Sequence, residues 1–135
     1  VEAVLDAYGR GGTFAVPDTG DLRADLHRWL LEHGEFIAEP ANARLIRALV
    51  AAAAAGSGDS EALYEQLSVP QRSGLVDRVR LAVGSGAVRA DIDPDVIANA
   101  LMGTLLLQVM SGPVSGDRAV AQYVALVDAL LDGLV

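Results

Sequence analysis

The chain has 135 residues, of which 52% are hydrophobic and 4% aromatic, and it contains no cysteine. This length fits one domain over residues 1–135, and the lack of cysteine excludes disulfides and thiolate metal sites. Eighteen acidic residues against ten basic ones give a net charge of −8, so the segment itself is a poor candidate for contacting DNA, because phosphates are bound by basic surfaces.

The hydrophobic periodicity is helical throughout, and glycines, prolines and capping residues divide it into six to seven helices. We therefore expect an all-α bundle. Without methionine at its start, the chain begins as a helix already under way, which suggests that a segment precedes it. No signal peptide or membrane span is visible, and we expect a cytoplasmic protein. In chain order, the predicted helices lie at about 1–8, 21–39, 40–56, 60–68, 70–84, 94–112 and 117–135.

The second predicted helix has one wide apolar face, and His33 lies near its middle. Asp25 and the other charged residues of this helix fall on its remaining faces. His33 has three interpretations: a core histidine bonded to a carbonyl or carboxylate, a polar group in an apolar ligand cavity, or a metal ligand. The last requires further ligands, and Ile37 occupies the position four residues on. The apolar face consists of Leu22, Leu26, Trp29, Leu30, Phe36 and Ile37.

The last two predicted helices have more apolar surface than an ordinary surface helix needs. The sixth is apolar nearly all round, so it is either central or covered by a second chain. The seventh carries Val120, Val124, Val127, Leu131 and Leu134 at heptad spacing. Both packing partners could lie within the chain, but we favour a homodimer in which these two helices of each copy form a four-helix bundle. The expected interface residues are Leu105, Val109, Val120, Tyr123, Val124, Val127 and Leu131.

No motif in the chain indicates catalysis or cofactor binding. There is no nucleophile elbow, and the glycine-rich segments at 9–12 and 84–86 lack the preceding strand of a phosphate-binding loop. Asp91, Asp93 and Asp95 alternate like part of a calcium loop, but Pro94 intervenes and the distal glutamate is absent, so they are better explained as a helix start. We expect no enzyme, no cofactor and no metal.

Four segments together resemble the C-terminal domain of tetracycline-repressor-like (TetR family) transcription regulators. The first two are Val1-Glu2-Ala3-Val4-Leu5 and the helix start at 19–26. The third has the most specific likeness; it is Gly86-Ala87-Val88-Arg89-Ala90-Asp91-Ile92-Asp93-Pro94-Asp95. The terminal residues 126–134 complete the set. The resemblance implies a homodimer formed by the last two helices and a ligand cavity inside each subunit. It also implies a helix-turn-helix that is not present here, through which alone operator DNA would be bound.

The resemblance therefore predicts the effector-sensing and dimerisation part of a ligand-responsive regulator, a repressor, with a small apolar or aromatic effector. Plain core packing remains open for every candidate cavity residue. The alternatives are a structural oligomerisation module without a ligand and a small all-α enzyme in which His33 contacts paired carboxylates. The candidate cavity residues are Trp29, His33, Phe36, Tyr64, Met102 and Leu106.

Overall fold

The computed structural model describes residues 15–56, 58–112 and 116–132. No strand occurs within these ranges, which confirms the prediction of an all-α fold. The predicted first helix at residues 1–8, together with Leu134, lies outside the described residues. The helices within the described ranges are α1 (Leu22–Ala38), α2 (Pro40–Ala54), α3 (Gly58–Gly84), α4 (Pro94–Ser111) and α5 (Gly116–Asp132).

The starts of α1, α2 and α4 follow from local sequence chemistry. The side chain of Asp21 accepts a hydrogen bond from the backbone N–H of Ala24 at 3.2 Å, which caps α1. Asp93 caps α4 in the same way by accepting from the N–H of Asp95 at 2.9 Å. Pro40 stands in the first turn of α2, where the missing N–H has no intrahelical acceptor to lose.

The predicted helix break at Pro70 is wrong, because residues 58–84 form one helix of 27 residues. A proline inside a helix removes one backbone hydrogen bond and costs about 3 kcal/mol. Packing on both sides of Pro70 offsets this loss. Leu75 and Val79 are fully buried after it, and Leu67 is half-buried before it. The helix therefore continues through a residue that would end an isolated one.

The central helix of the bundle is α1, which contacts each of the other four described helices. Leu26, Trp29 and Leu30 are at most 1% exposed. The sixth predicted helix, expected to be either central or covered by a second chain, is α4, and α4 is not central within the described bundle. Leu107 and Met110 remain 65% and 52% exposed, because α1, α2 and α3 all pack against the other side of this apolar helix.

A glycine lets α5 approach α1 closely. A Cβ atom at Gly34 would lie 2.2 Å from the hydroxyl oxygen of Tyr123, so no larger residue fits there without a shift. Tyr123 is 3% exposed and donates a 2.7 Å hydrogen bond to Oε1 of Gln108 on α4. Burial raises the pKa of the Tyr123 hydroxyl despite this bond, so the group stays protonated as a donor. The Tyr123–Gln108 pair thus joins α4 and α5 beneath α1.

A buried ion pair joins α1 to α3, so Asp25, which the sequence places off the apolar face of α1, still lies in the interior. Asp25 and Arg78 are 2% and 7% exposed, and Oδ2 of Asp25 accepts from Nη2 of Arg78 at 2.7 Å. Thr19 donates to the same carboxylate through its backbone N–H and its hydroxyl. Burial alone would raise the pKa of Asp25, but the hydrogen bonds from Thr19 and Arg78 lower it below the ordinary value.

Candidate functional site

A cavity of about 90 Å³ lies between α1, α2, α3 and α4. Its polar lining consists of His33 on α1 and of Tyr64, Ser68 and Gln71 on α3. The rest is aliphatic or methionine, and no aspartate, glutamate or arginine lines it. Such a lining, apolar with a few polar groups, is typical of small-molecule sites. The apolar lining residues are Ile37, Ile46, Leu49, Val50, Leu67, Met102, Leu105, Leu106 and Val109.

His33 is held in one orientation at the wall of this cavity. Its Nδ1 lies 2.9 Å from the backbone oxygen of Trp29, so Nδ1–H donates to that carbonyl. The rings of Trp29 and His33 stack with centroids 4.1 Å apart. Burial lowers the pKa of His33 to about 4, which outweighs the carbonyl bond and the nearby Glu32. His33 is therefore a neutral, oriented side chain at pH 7.

The structure brings four of the six candidate cavity residues together. His33, Tyr64, Met102 and Leu106 line the cavity. Trp29 does not, because its 1% exposed ring lies behind His33 in the core. Phe36 does not line it either; it is half-buried, and its carbonyl accepts from Nδ2 of Asn42 at the α1–α2 junction.

Two polar residues of the cavity, Ser68 and Gln71, were not predicted from the sequence. They follow Tyr64 at spacings of four and three residues, so all three share one face of α3. The signal was present in the sequence, but the predicted break at Pro70 assigned Gln71 to a different helix. A helix that continues through Pro70 makes the row visible.

A second cavity, of about 310 Å³, adjoins the first between α2 and α3. The two share Val50 and Tyr64. The second is otherwise lined by Ala53 and Ala54 of α2 and by two glutamates of α3. Tyr64 therefore stands at the boundary between an inner space surrounded by four helices and an outer one at the bundle surface.

Most of the expected dimer-interface residues pack within their own chain. Leu105, Val109, Tyr123, Val127 and Leu131 are at most 8% exposed and belong to the core. They are buried because α1 covers the sides of α4 and α5 on which they lie. Val120 and Val124, the remaining two, are 42% and 37% exposed.

The outer side of α4 carries an exposed apolar row that the sequence analysis did not single out. Val96, Ala100, Gly103, Leu107 and Met110 follow one another at spacings of 4, 3, 4 and 3 residues. Val96 and Leu107 are 57% and 65% exposed, and the row has a glycine and an alanine at its centre. This spacing is that of a helix–helix seam. We refer to these five residues as the α4 row.

Within the described part of the chain, no three His, Asp or Glu side chains are grouped so that they could hold a metal ion. None of its helices has the length and apolar character needed to span a bilayer.

The structure is thus an all-helical domain with a largely apolar cavity between four of its helices. A family model described as the tetracyclin repressor-like C-terminal domain matches residues 16–130, and the chain belongs to this family. Among solved structures, the crystal structure of the TetR family transcription regulator SCO0332 matches with a TM-score of 0.79 and 30% sequence identity. That match covers 100% of this chain and 75% of the other. Among curated proteins, no relative matches. The resemblance stated from the sequence is confirmed.

Proposed function

We propose that this domain is the effector-sensing and homodimerisation part of a cytoplasmic transcriptional repressor. The sensing role is supported by the cavity between α1, α2, α3 and α4, which combines apolar walls with neutral hydrogen-bonding groups. Operator DNA would be bound by a helix-turn-helix segment preceding this chain, which fits the net charge of −8 on the domain itself.

The proposed mechanism is a shift between two arrangements of the dimer. An effector that binds one arrangement more tightly than the other supplies a coupling free energy, typically about 1–3 kcal/mol. The buried Asp25–Arg78 pair supports such coupling, because it ties α3, which lines the cavity, to the segment that leads into α1. The carbonyl of Pro17 also accepts from Nε of Arg78, at 3.1 Å.

Dimerisation through the last two helices rests on a revised set of residues. The α4 row supplies the exposed apolar surface, and Val120 and Val124 of α5 add to it. Gly103 and Ala100 would let two copies of α4 approach closely, since small residues keep the helix axes near each other. A second copy that covers this row removes from water the largest exposed side chains of α4.

Sedimentation velocity on the 135-residue chain tests the dimer. We expect the wild type to sediment as a dimer and Leu107→Arg as a folded monomer, because an arginine would be buried without a partner in the seam. Leu81→Arg is the matched control, since Leu81 on α3 is 56% exposed and lies outside the α4 row. If Leu107→Arg stays dimeric, or if Leu81→Arg dissociates equally, the seam is not on α4.

The alternative is a structural oligomerisation module without an effector. It is favoured by the small inner cavity, whose 90 Å³ fall below the about 300–1,000 Å³ of sites for drug-sized ligands. Such a module would dimerise in the same way but would bind no small molecule between α1 and α4. Ligand binding, rather than oligomeric state, separates the two functions.

A further inference from the structure

The polar groups of the cavity are collected on one wall. Tyr64, Ser68 and Gln71 line it from a single face of α3, and all three are half-buried. Within the described part of the chain, none of these three side chains makes a hydrogen bond, whereas Gln108 on α4 accepts one from Tyr123. The wall therefore has donors and acceptors that are available to a molecule inside the cavity.

Among the described residues, the lining of the first cavity contains no group that could neutralise a charged ligand. His33 is neutral at pH 7, and the other polar groups are two hydroxyls and an amide. Arg47 on α2 is not part of this lining, and its Nη1 donates to the backbone oxygen of Val109 at 3.1 Å. Because a buried charge without a partner is strongly disfavoured, the first cavity selects against carboxylates and ammonium groups, whereas the second, with Glu61 and Glu65 in its lining, selects against carboxylates only.

The two adjoining cavities indicate the shape of the ligand. The inner one is largely apolar and small, and the outer one begins at Tyr64. The outer space, bounded by Ala53 and Ala54, adjoins the inner one at Val50 and Tyr64 and could hold the end of a longer molecule. The shape is therefore elongated, with its polar atom near the α3 wall.

We infer that the effector is an uncharged, elongated, mainly aliphatic molecule with at least one oxygen that hydrogen-bonds to Tyr64, Ser68 or Gln71. This inference rests on the proposed sensing function and narrows its ligand. The apolar body lies between Leu49 on α2 and Met102 on α4, and the oxygen lies at the α3 wall.

Three probes with the same chain length test the inference: 1-octanol, octanoate and octylammonium. Trp29 is the single tryptophan and stacks on His33 at the cavity wall, so its fluorescence reports occupancy, and calorimetry gives the affinity. We expect octanol to bind the full chain at pH 7 at least about tenfold more tightly than octanoate, because the carboxylate would be buried unpaired or lie beside Glu61 and Glu65. Octylammonium should also bind more weakly than octanol, by a smaller factor, since those glutamates offer it partial compensation.

Substitutions on α3 then locate the polar contact. Gln71→Leu should weaken octanol binding about fivefold, as expected for the loss of one neutral hydrogen bond, while the exposed Gln66→Leu on the same helix leaves it unchanged. Ser68→Ala serves as the second variant if Gln71→Leu does not fold. If Gln71→Leu, Ser68→Ala and Tyr64→Phe all affect octanol binding no more than Gln66→Leu does, the assignment of the α3 wall is overturned.

The outcomes distinguish this inference from the function on which it rests. Tighter binding of octanoate or octylammonium would overturn the neutral-ligand inference and leave the sensing function intact. If none of the three probes changes Trp29 fluorescence or gives heat, both the inference and the sensing role are contradicted, and the structural module is favoured.

Discussion

The bundle contains two combinations of tyrosine and glutamine that differ in burial and in whether the two side chains bond to each other. Tyr123 donates to Gln108 beneath α1, and both side chains are at most 7% exposed. Tyr64 and Gln71 share a face of α3, are half-buried and make no side-chain hydrogen bond within the described residues. The first combination holds α4 and α5 together, and the second faces the cavity.

The difference shows how the same residue types serve structure in one place and recognition in another. A buried polar group that loses its partner costs about 1–3 kcal/mol, so Tyr123 and Gln108 are fixed by each other. Tyr64 and Gln71 can exchange water for a ligand at little cost to the fold. Substitutions at Tyr123 or Gln108 should therefore change the free energy of unfolding, whereas substitutions on the α3 wall should change the affinity for a ligand.

The largest loss of stability is expected at the buried ion pair. Arg78→Ala leaves the carboxylate of Asp25 buried without its cationic partner, which should cost about 3–5 kcal/mol in the free energy of unfolding. Urea unfolding measures it. The control is Arg72→Ala, which removes an ion pair to Asp95 whose side chains are 45% and 52% exposed and should cost at most about 1 kcal/mol. Equal losses would show that the Asp25–Arg78 pair is not a fixed structural element.

The close approach of α5 to α1 should be nearly as sensitive. Gly34→Ala places a Cβ 2.2 Å from the Tyr123 hydroxyl, and overpacking of this kind should cost about 3 kcal/mol. Gly84→Ala is the control, because a Cβ there meets nothing within 4 Å. Thermal unfolding compares the two variants. In a double-mutant cycle, Tyr123→Phe should recover part of the loss in Gly34→Ala; strictly additive losses would contradict the contact.

The pH dependence of stability should report the burial of His33. Its folded pKa of about 4 lies below the ordinary 6.5, so its contribution is complete above pH 6.5 and is lost as the pH falls toward 4. Between pH 7 and pH 5 the wild type should lose about 2 kcal/mol from this group. Glu32 opposes the effect, and no charged side chain of α2, α3 or α4 lines the cavity beside it. His33→Leu should lack this loss; an unchanged pH profile would contradict it.

Much of the helical frame could be predicted from the sequence because its signals are local. Asp21, Pro40 and Asp93 mark helix starts through short-range hydrogen bonds or a fixed backbone angle, and the structure has helices there. The break at Pro70 could not be judged locally, because the packing that keeps α3 continuous comes from α2 and α4. Tertiary contacts outweighed a strong local signal.

The candidate site was less predictable, since a helical wheel shows which face is apolar but not what covers it. The wheel placed Asp25 off the apolar face and gave no partner for it, whereas Arg78 from α3 pairs with it in the interior. It also assigned Tyr123 to a partner chain, whereas the missing side chain of Gly34 makes room for it within this one. Both differences come from contacts between residues far apart in the sequence.

Tyr123→Phe and Tyr64→Phe test most directly whether the first tyrosine stabilises the fold and the second binds the ligand. Urea unfolding and calorimetric 1-octanol binding are measured for both variants. We expect Tyr123→Phe to lower the free energy of unfolding by about 1–2 kcal/mol and to leave the octanol affinity unchanged, since only Gln108 loses a partner. Tyr64→Phe should weaken octanol binding and change stability by less than about 0.5 kcal/mol. The reverse pattern would contradict the account.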